Sequence, residues 1–512
     1  MRRRLVLAIV SAAVLLFAYP PFNGWYVGWV GLVPLFMALE GANRKEALLT
    51  GYTWGLLFFT GTIWWVTHSM HYYGGMSFPV ALAVMLLLVA YLALYPALFT
   101  LLFRGAEHMN PYLTIVGGAA LWTSLEYLRG VLFTGFPWAL IGYTQVPVTS
   151  MIQIAELTGV WGISFWVVAT NITIYLIIRC LKREDVVSVL KYMVFTGVII
   201  IVVFSYGIMR QSTIRVVADG WDRLTIGVAQ GNIEQALKWK KEMKAKTLEI
   251  YDTLIEKARS EGADLVILPE TAMPFYLEHN QPLGSYVKKI ARREGVLLVV
   301  GSPHYERTDE KIKLYNSAFL IDREGNLIDR YDKVHLVPFG EYVPLKKILF
   351  FVDKLAEGVG DYSPGRGLEP LKFGNTGFGV LICYEAIFPE ISAEFVRKGA
   401  AFLVNITNDG WFGRTWGPYQ HFAISVIRAV ENRVFVVRAA NTGISGVIEP
   451  TGKVLIKGPL MEEYWFVSTI GLNRAAKPTF FSRHPLVYPC IMAGVAVIFI
   501  ISCLVRRRRT NV

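Results

Sequence analysis

The chain has 512 residues, of which 54% are hydrophobic and only 18% charged, with a mean hydropathy of +0.42. Soluble globular proteins carry about 25% charged residues, and disordered chains lack the 13% aromatics found here, so both classes are excluded. The net charge of +12 is no nucleic-acid signal: Arg2, Arg3 and Arg4 and the run Arg506 to Arg509 flank apolar segments at the two ends, where basic residues set membrane topology.

From the N-terminus, apolar runs near the ~17–25 residues that cross a bilayer fall at 5–20, 24–39, 47–67, 77–103, 112–128, 157–178 and 190–208, with another at 485–504. The first has the look of a secretory leader, but Tyr19-Pro20-Pro21 follows it instead of a small-residue cleavage site, so it reads as a retained helix. Loop charge orients the crossings. Arg44 and Lys45, then Arg104, then Arg179, Lys182 and Arg183, and finally the terminal arginines occupy alternate loops; the opposite loops at 20–23 and 68–76 have no Lys or Arg, and 129–156 has only Arg129. This predicts about eight spans with both termini cytoplasmic. It divides the chain into a membrane domain at 1–208 with about seven helices, an extracytoplasmic domain at 209–484, and a C-terminal helix with a basic tail at 485–512.

The block 209–484 changes pattern. Strands are expected at 224–230, 263–268 and 296–301, a hairpin at 317–322 and 327–334, and further strands at 377–382, 401–406 and 434–439; helices are expected at 243–262, 285–294, 389–399 and 419–432. Alternation of this kind builds an α/β domain, and near-continuous apolar strands are buried on both faces.

In such sheets functional groups gather beyond the carboxyl ends of strands. Three endings stand out: Pro269-Glu270, Lys333 with Glu341 beyond it, and Cys383-Tyr384-Glu385. Of the four cysteines only Cys383 lies in the polar part of the chain, and a lone cysteine is by default a small buried hydrophobe. Glu270 alone reads as a turn carboxylate and Lys333 as an exposed hairpin lysine. Together they supply a thiol nucleophile, a carboxylate base and a cation, the set needed for acyl transfer through a thioester. A thiol of pKa ~8.5 needs a base to take its proton, and the tetrahedral oxyanion needs a positive partner.

His304, His335 and His421 do not form metal-ligand spacing with Cys383, and Gly74-Gly75 and Gly117-Gly118 lack a following Lys-Ser/Thr, so neither zinc nor a phosphate-bearing cofactor is expected. Glu126 near the end of an apolar run is a functional candidate by position, with Arg129 three residues on as a structural partner. Asn408-Asp409-Gly410-Trp411 reads equally as pocket lining or as an Asp-Gly turn.

Pro269-Glu270, the stretch Tyr331 to Glu341 around Lys333, and Leu381-Ile382-Cys383-Tyr384-Glu385 resemble the Glu–Lys–Cys triad of the nitrilase/carbon–nitrogen hydrolase superfamily. Set between membrane segments, with Gly135-Phe136-Pro137-Trp138, Gly231-Asn232 followed by Trp239, and Asn405 to Trp411, they are similar to its membrane-embedded apolipoprotein N-acyltransferase family. The resemblance implies a polytopic α-helical bundle carrying a nitrilase-like αββα sandwich. It implies Cys383 as nucleophile, Glu270 as general base and Lys333 as stabiliser of the tetrahedral intermediate, with Glu341, Tyr384 and Glu385 supporting the site and Trp239 handling substrate. Tyr384 offers its backbone N–H to the oxyanion.

The implied reaction takes an acyl chain from a membrane phospholipid, commonly phosphatidylethanolamine, and transfers it to the α-amino group of an S-diacylglyceryl-cysteine at an apolipoprotein N-terminus. The implied setting is the bacterial inner membrane with the catalytic domain on the periplasmic side. A membrane-tethered amidase would need only one or two spans. A transporter would show polar residues at mid-depth and matched helix breaks, which these spans largely lack.

Overall fold

The computed structural model describes residues 1–307, 312–342, 361–474 and 478–510, with Glu107 and 507–510 as backbone only. The side chains of Arg507, Arg508 and Arg509 therefore lie outside the described residues. The chain forms two compact units: Met1–Trp64, Leu82–Ser212 and His484–Val512 make one, Trp65–Ala81 and Thr213–Arg483 the other.

The first unit is helical. Its main helices are α1 (Arg2–Leu16), α2 (Arg44–Ile63), α3 (Phe78–Leu92), α4 (Leu94–Phe103), α5 (Pro111–Val131), α6 (Val160–Leu181) and α7 (Val186–Asp219), with Val487–Thr510 at the C-terminus. Among the described residues four stretches are long and apolar enough to cross a membrane: Phe78–Phe103, Val160–Leu181, Val186–Asp219 and Val487–Arg506. Where a single span was expected at 24–39, the chain forms two short helices, Trp25–Gly28 and Val33–Ala38. Gly28 and Gly31 weaken the helix, and Pro34 suits the first turn of a new helix better than the middle of an old one.

The unwound segment after α5 explains the ionisable pair read from sequence. Glu126 Oε1 accepts the Ile141 N–H at 2.8 Å, and Arg129 Nη1 donates to the carbonyls of Phe136 and Trp138 at 2.9 and 2.7 Å. Irregular backbone in an apolar setting is tolerated only where its polar groups are satisfied, and these two side chains do this for Gly135-Phe136-Pro137-Trp138 and its continuation.

Among the described residues the second unit holds two six-stranded sheets. The strands are β1 (Asp222–Gln230), β2 (Leu265–Ile267), β3 (Leu297–Arg307), β4 (Ile312–Ile321), β5 (Leu327–Asp332), β6 (Leu371–Phe373), β7 (Thr376–Ile382), β8 (Ala400–Thr407), β9 (Val436–Ala440), β10 (Gly446–Ile448), β11 (Val454–Lys457) and β12 (Tyr464–Leu472). One sheet runs β12-β1-β2-β3-β4-β5 and the other β11-β10-β9-β8-β7-β6. Each is built on a parallel core, β1-β2-β3 and β7-β8-β9, with antiparallel strands outside it.

Parallel neighbours require crossovers, and helices supply them. These are α8 (Lys241–Ser260), α9 (Gln281–Glu294), α10 (Pro389–Arg397) and α11 (Gly417–Asn432). Local signals start and stop them. Asn280 caps α9 ahead of Pro282, Gly295 in a left-handed conformation ends it, and Arg292 and Arg293 sit in its last turn, where cations favour the helix dipole.

The sheets meet through β1 against β9 and β4 against β7, while α8 packs on β1, β2 and β12 and α10 on β7 and β8. The result is a helix–sheet–sheet–helix stack whose central strands are dry. All eight residues of β8 are buried, as are Val266, Leu298 and Phe319 in the facing sheet. Burial of this kind stabilises by about 1.5–3 kcal/mol per large side chain, so the strand ends sit on a stiff base.

Candidate active site

Glu270 follows β2 and turns into the space between the sheets. Its Oε1 accepts from Asn316 Nδ2 at 2.8 Å and its Oε2 from the Asn408 N–H at 2.9 Å. Asn316 lies on β4 and donates from the same nitrogen to Glu341 Oε1 at 2.8 Å. Lys333, just past β5, places Nζ 2.9 and 3.0 Å from the two Glu341 oxygens and 4.0 Å from Glu270 Oε1. Its own backbone is pinned, with its N–H donating to the Asn316 carbonyl at 2.8 Å and its carbonyl accepting from the Gly365 N–H at 2.8 Å. Glu341 also closes its own loop by accepting the Val337 N–H at 2.8 Å.

Cys383 follows β7 directly and opens the short helix Cys383–Ile387 with φ at +54°. A side chain in the left-handed region costs about 1–2 kcal/mol and marks a turn held by its surroundings. Glu385 is one restraint. It is fully buried, its Oε1 accepts from Tyr331 Oη at 2.7 Å and from the N–H groups of Val334 and His335 at 2.8 and 3.1 Å, and its Oε2 accepts the Ile382 N–H at 2.8 Å. One carboxylate thus fastens the chain beside Lys333 to the chain entering Cys383. Tyr384, next to Cys383 in the chain, is buried.

The electrostatics follow from this crowding. Burial pushes the Cys383 thiol up, Glu270 adds to that and Lys333 opposes it, so the resting thiol keeps its proton. Burial also raises Glu270 above the usual carboxylate range, against the pull of Lys333. Burial pulls the Lys333 ammonium down, but Glu341 and Glu270 outweigh it and hold it above its ordinary value. Burial moves Glu385 up to about 7, against Lys333 and its hydrogen-bond donors.

The arrangement brings Glu270, Lys333 and Glu341 into one hydrogen-bonded hub, places Cys383 within electrostatic reach of the first two, and joins Glu385 to both sides. Trp239 is half-buried in the turn after β1, and no described hydrogen bond of the hub involves it. Its neighbour does take part. Lys238 is fully buried, donates to the Glu270 carbonyl at 3.2 Å and to Thr271 Oγ1 at 2.7 Å, and is brought down to about 8 by burial.

Sequence reading missed Asn316, Lys238, Arg438 and the place of His421, and left Asp409 open between pocket lining and a turn. A polar residue inside an apolar run was the available signal for Asn316 and Arg438, since a strand dry on both faces admits one only with partners. Asn408 and Asp409 belong to the site's support: the Asn408 N–H holds Glu270, and Asp409 Oδ2 accepts from Arg438 at 2.7 Å.

Glu278, His279 and His304 bring donor atoms within 4.8 Å of one another, the spacing of a metal site. Arg330 already fills the cation's role there, 2.7 Å from His304 Nε2 and 3.6 Å from Glu278 Oε2. A guanidinium so close disfavours a second cation.

Residues 11–173 match the family model for the apolipoprotein N-acyltransferase N-terminal domain, and residues 225–477 that for carbon–nitrogen hydrolases. A protein of Geobacter metallireducens named apolipoprotein N-acyltransferase is 40% identical over 99% of this chain and 96% of its own length. The chain belongs to the apolipoprotein N-acyltransferase family. A second relative of that name, from Pasteurella multocida, is 33% identical over 98% of this chain and 96% of its own length. A carbon–nitrogen hydrolase structure from Helicobacter pylori aligns with a TM-score of 0.39 and 19% identity over 52% of this chain and 94% of that one. The chain is accordingly an acyltransferase with a nitrilase-type catalytic unit, acting by N-acyl transfer in lipoprotein maturation, and its apolar helices make it a membrane protein.

Proposed function

We propose that Cys383, Glu270 and Lys333 carry a two-step acyl transfer between two membrane-held substrates. The observation that carries this is the hub in which Asn316 holds Glu270 and Glu341 together while Lys333 stands between the two carboxylates, next to a cysteine in a left-handed turn.

In the first step Cys383 Sγ attacks the ester carbonyl of a phospholipid, with phosphatidylethanolamine as donor. Glu270 takes the thiol proton, the carbon–sulfur bond forms, and the proton passes to the departing alkoxide as the ester bond breaks and a lysophospholipid leaves. A base with a raised pKa suits both taking and returning a proton near neutrality. In the second step the α-amine of a diacylglyceryl-cysteine attacks the thioester, Glu270 takes its proton, and the thiolate leaves and is reprotonated. Lys333 and the Tyr384 N–H face the oxyanion formed in each step. Glu341 and Glu385 hold Lys333 and the nucleophile's turn in register, and Trp239 borders the substrate path.

Loop charge supports eight spans with both termini in the cytoplasm and the catalytic domain on the periplasmic face of the inner membrane, with domain limits at 1–208, 209–484 and 485–512. A site facing the outer leaflet receives both acyl chains from the bilayer and keeps water from the thioester.

Intact mass spectrometry after incubation with phosphatidylethanolamine vesicles tests the first step. Wild type is expected to gain one acyl mass that hydroxylamine removes, and a Cys383→Ala variant none. An unmodified wild type whose thiol still reacts with iodoacetamide would overturn the phospholipid donor.

A further inference from the structure

The mechanism leaves unused a buried network behind the nucleophile. His421 on α11 is wholly buried, and its Nε2 lies 3.1 Å from the carbonyl oxygen of Cys383. A carbonyl only accepts, so Nε2 carries the proton and donates. At the other edge of the ring, Nδ1 lies 3.0 Å from Arg438 Nη2 and 3.0 Å from Asp409 Oδ1. Arg438, also fully buried, donates to Asp409 Oδ2 at 2.7 Å, and the Thr407 hydroxyl donates to Asp409 Oδ1 at 3.0 Å. Burial and the Arg438 charge hold His421 below the usual imidazole range, so the ring is neutral, with Arg438 supplying the donor at Nδ1. Asp409 follows Asn408, whose N–H holds Glu270.

We infer that His421 is a positioning residue: by donating to the Cys383 carbonyl it fixes the Cys383–Tyr384 peptide plane and so aims the Tyr384 N–H at the oxyanion. The peptide is planar and trans, so its N–H points opposite to its C=O, and a donor behind the carbonyl sets the direction of the amide hydrogen in front. Hydrogen bonding at the carbonyl also polarises the amide and makes its N–H a better donor. Because Arg438 donates to the ring from behind and is itself held by Asp409, the plane is tied to the segment whose Asn408 N–H holds Glu270. The inference rests on the acyl-transfer reading above, in which an oxyanion forms.

Two substitutions separate the ring's two edges. His421→Gln places an amide nitrogen near the position of Nε2 and keeps a donor for the carbonyl; His421→Asn keeps a partner for Arg438 and Asp409 but does not reach the carbonyl. Three rates are read on the full-length protein in detergent micelles: thioester formation from phosphatidylethanolamine vesicles, the acylation burst with p-nitrophenyl butyrate, and iodoacetamide alkylation of the Cys383 peptide. Alkylation forms no oxyanion. For His421→Asn both acylation rates are expected to fall about 100-fold, the loss typical of a misaimed group, with lipid KM unchanged and alkylation much less affected. His421→Gln is expected to restore most of the acylation rate.

Equal losses in acylation and alkylation, or an Asn variant as active as the Gln variant, would overturn the inference. Loss of the folded state in both variants would assign His421 to the core and overturn it as well. A wild type that reacts with the butyrate ester but not with the vesicles removes the phospholipid donor and leaves the His421 comparison intact; one that reacts with neither ester overturns both.

Discussion

Asn316 is the residue on which the charge balance turns. Its amide nitrogen donates to Glu270 and Glu341 at 2.8 Å each and bridges them, while the Asn408 and Val337 N–H groups each hold one of the two carboxylates. Asn316→Asp keeps the shape and replaces the donor with a third carboxylate. Like charges in a buried site are not jointly ionised, so the base is expected to protonate and the rate of thioester formation to fall by at least about 100-fold, read by quenched mass spectrometry. The pH dependence has a definite sign. In the proposed mechanism Glu270 must be ionised to act, and burial raises its pKa, so the alkylation rate of Cys383 should fall on acidification at a pH above the ordinary carboxylate value of about 4.3. A Glu270→Gln variant should show a lower rate throughout and no such acid limb.

At the scale of elements, the site depends on how closely β3 approaches the turn after β2. A Cβ on Gly301 would lie 2.2 Å from the Pro269 carbonyl oxygen, 2.6 Å from the Thr271 nitrogen and 2.8 Å from the Glu270 Cα. All three are backbone atoms of the turn that presents Glu270. Gly301→Ala should therefore cost about 1–3 kcal/mol in a thermal melt, and should lower the acylation rate far more than that loss of stability alone would, because it moves Glu270.

The same scale shows what the sequence made legible. Strands β1, β7 and β8 and helices α8, α10 and α11 lie within two residues of their expected ends, since apolar runs between turn signals leave little choice. Strands β10, β11 and β12 went unread: Gly446–Ile448 and Val454–Lys457 are too short to show a period, and Tyr464–Leu472 mixes polar and apolar residues without strict alternation. Glu270, Lys333 and Cys383 could be singled out in the sequence because the proposed chemistry restricts residue type, and the structure places all three at one site. Lys238 was not, because a buried lysine looks like an exposed one until Glu270 and Thr271 are placed beside it.

At the scale of the molecule, the proposed topology makes a prediction independent of catalysis. In a chain whose four cysteines are replaced by alanine, Tyr72→Cys should react with a membrane-impermeant maleimide on spheroplasts, and Lys182→Cys only after lysis, because basic loops stay in the cytoplasm. Labelling of both positions from the same side would overturn the eight-span arrangement. The described helices alone do not give that count, because only four stretches combine length with apolarity. Of the others, α1 has 15 residues, the stretch 24–39 is broken into two short helices, and α5 carries Glu126 and Arg129 among its apolar residues.

The pairing of β12 with β1 along nine residues joins the last strand of the second unit to its first. Gln230, at the end of β1, reinforces the join by donating to the Pro459 and Glu462 carbonyls at 2.8 and 2.9 Å. During synthesis, β1 emerges more than 200 residues before its partner. Until Tyr464–Leu472 has been made, that edge is open, and an open edge invites pairing with other chains. A ribosome must therefore pass residue 472 before the unit can close, so an interrupted chain that already holds Glu270, Lys333 and Cys383 is a candidate for proteolysis or aggregation and not a partly active enzyme.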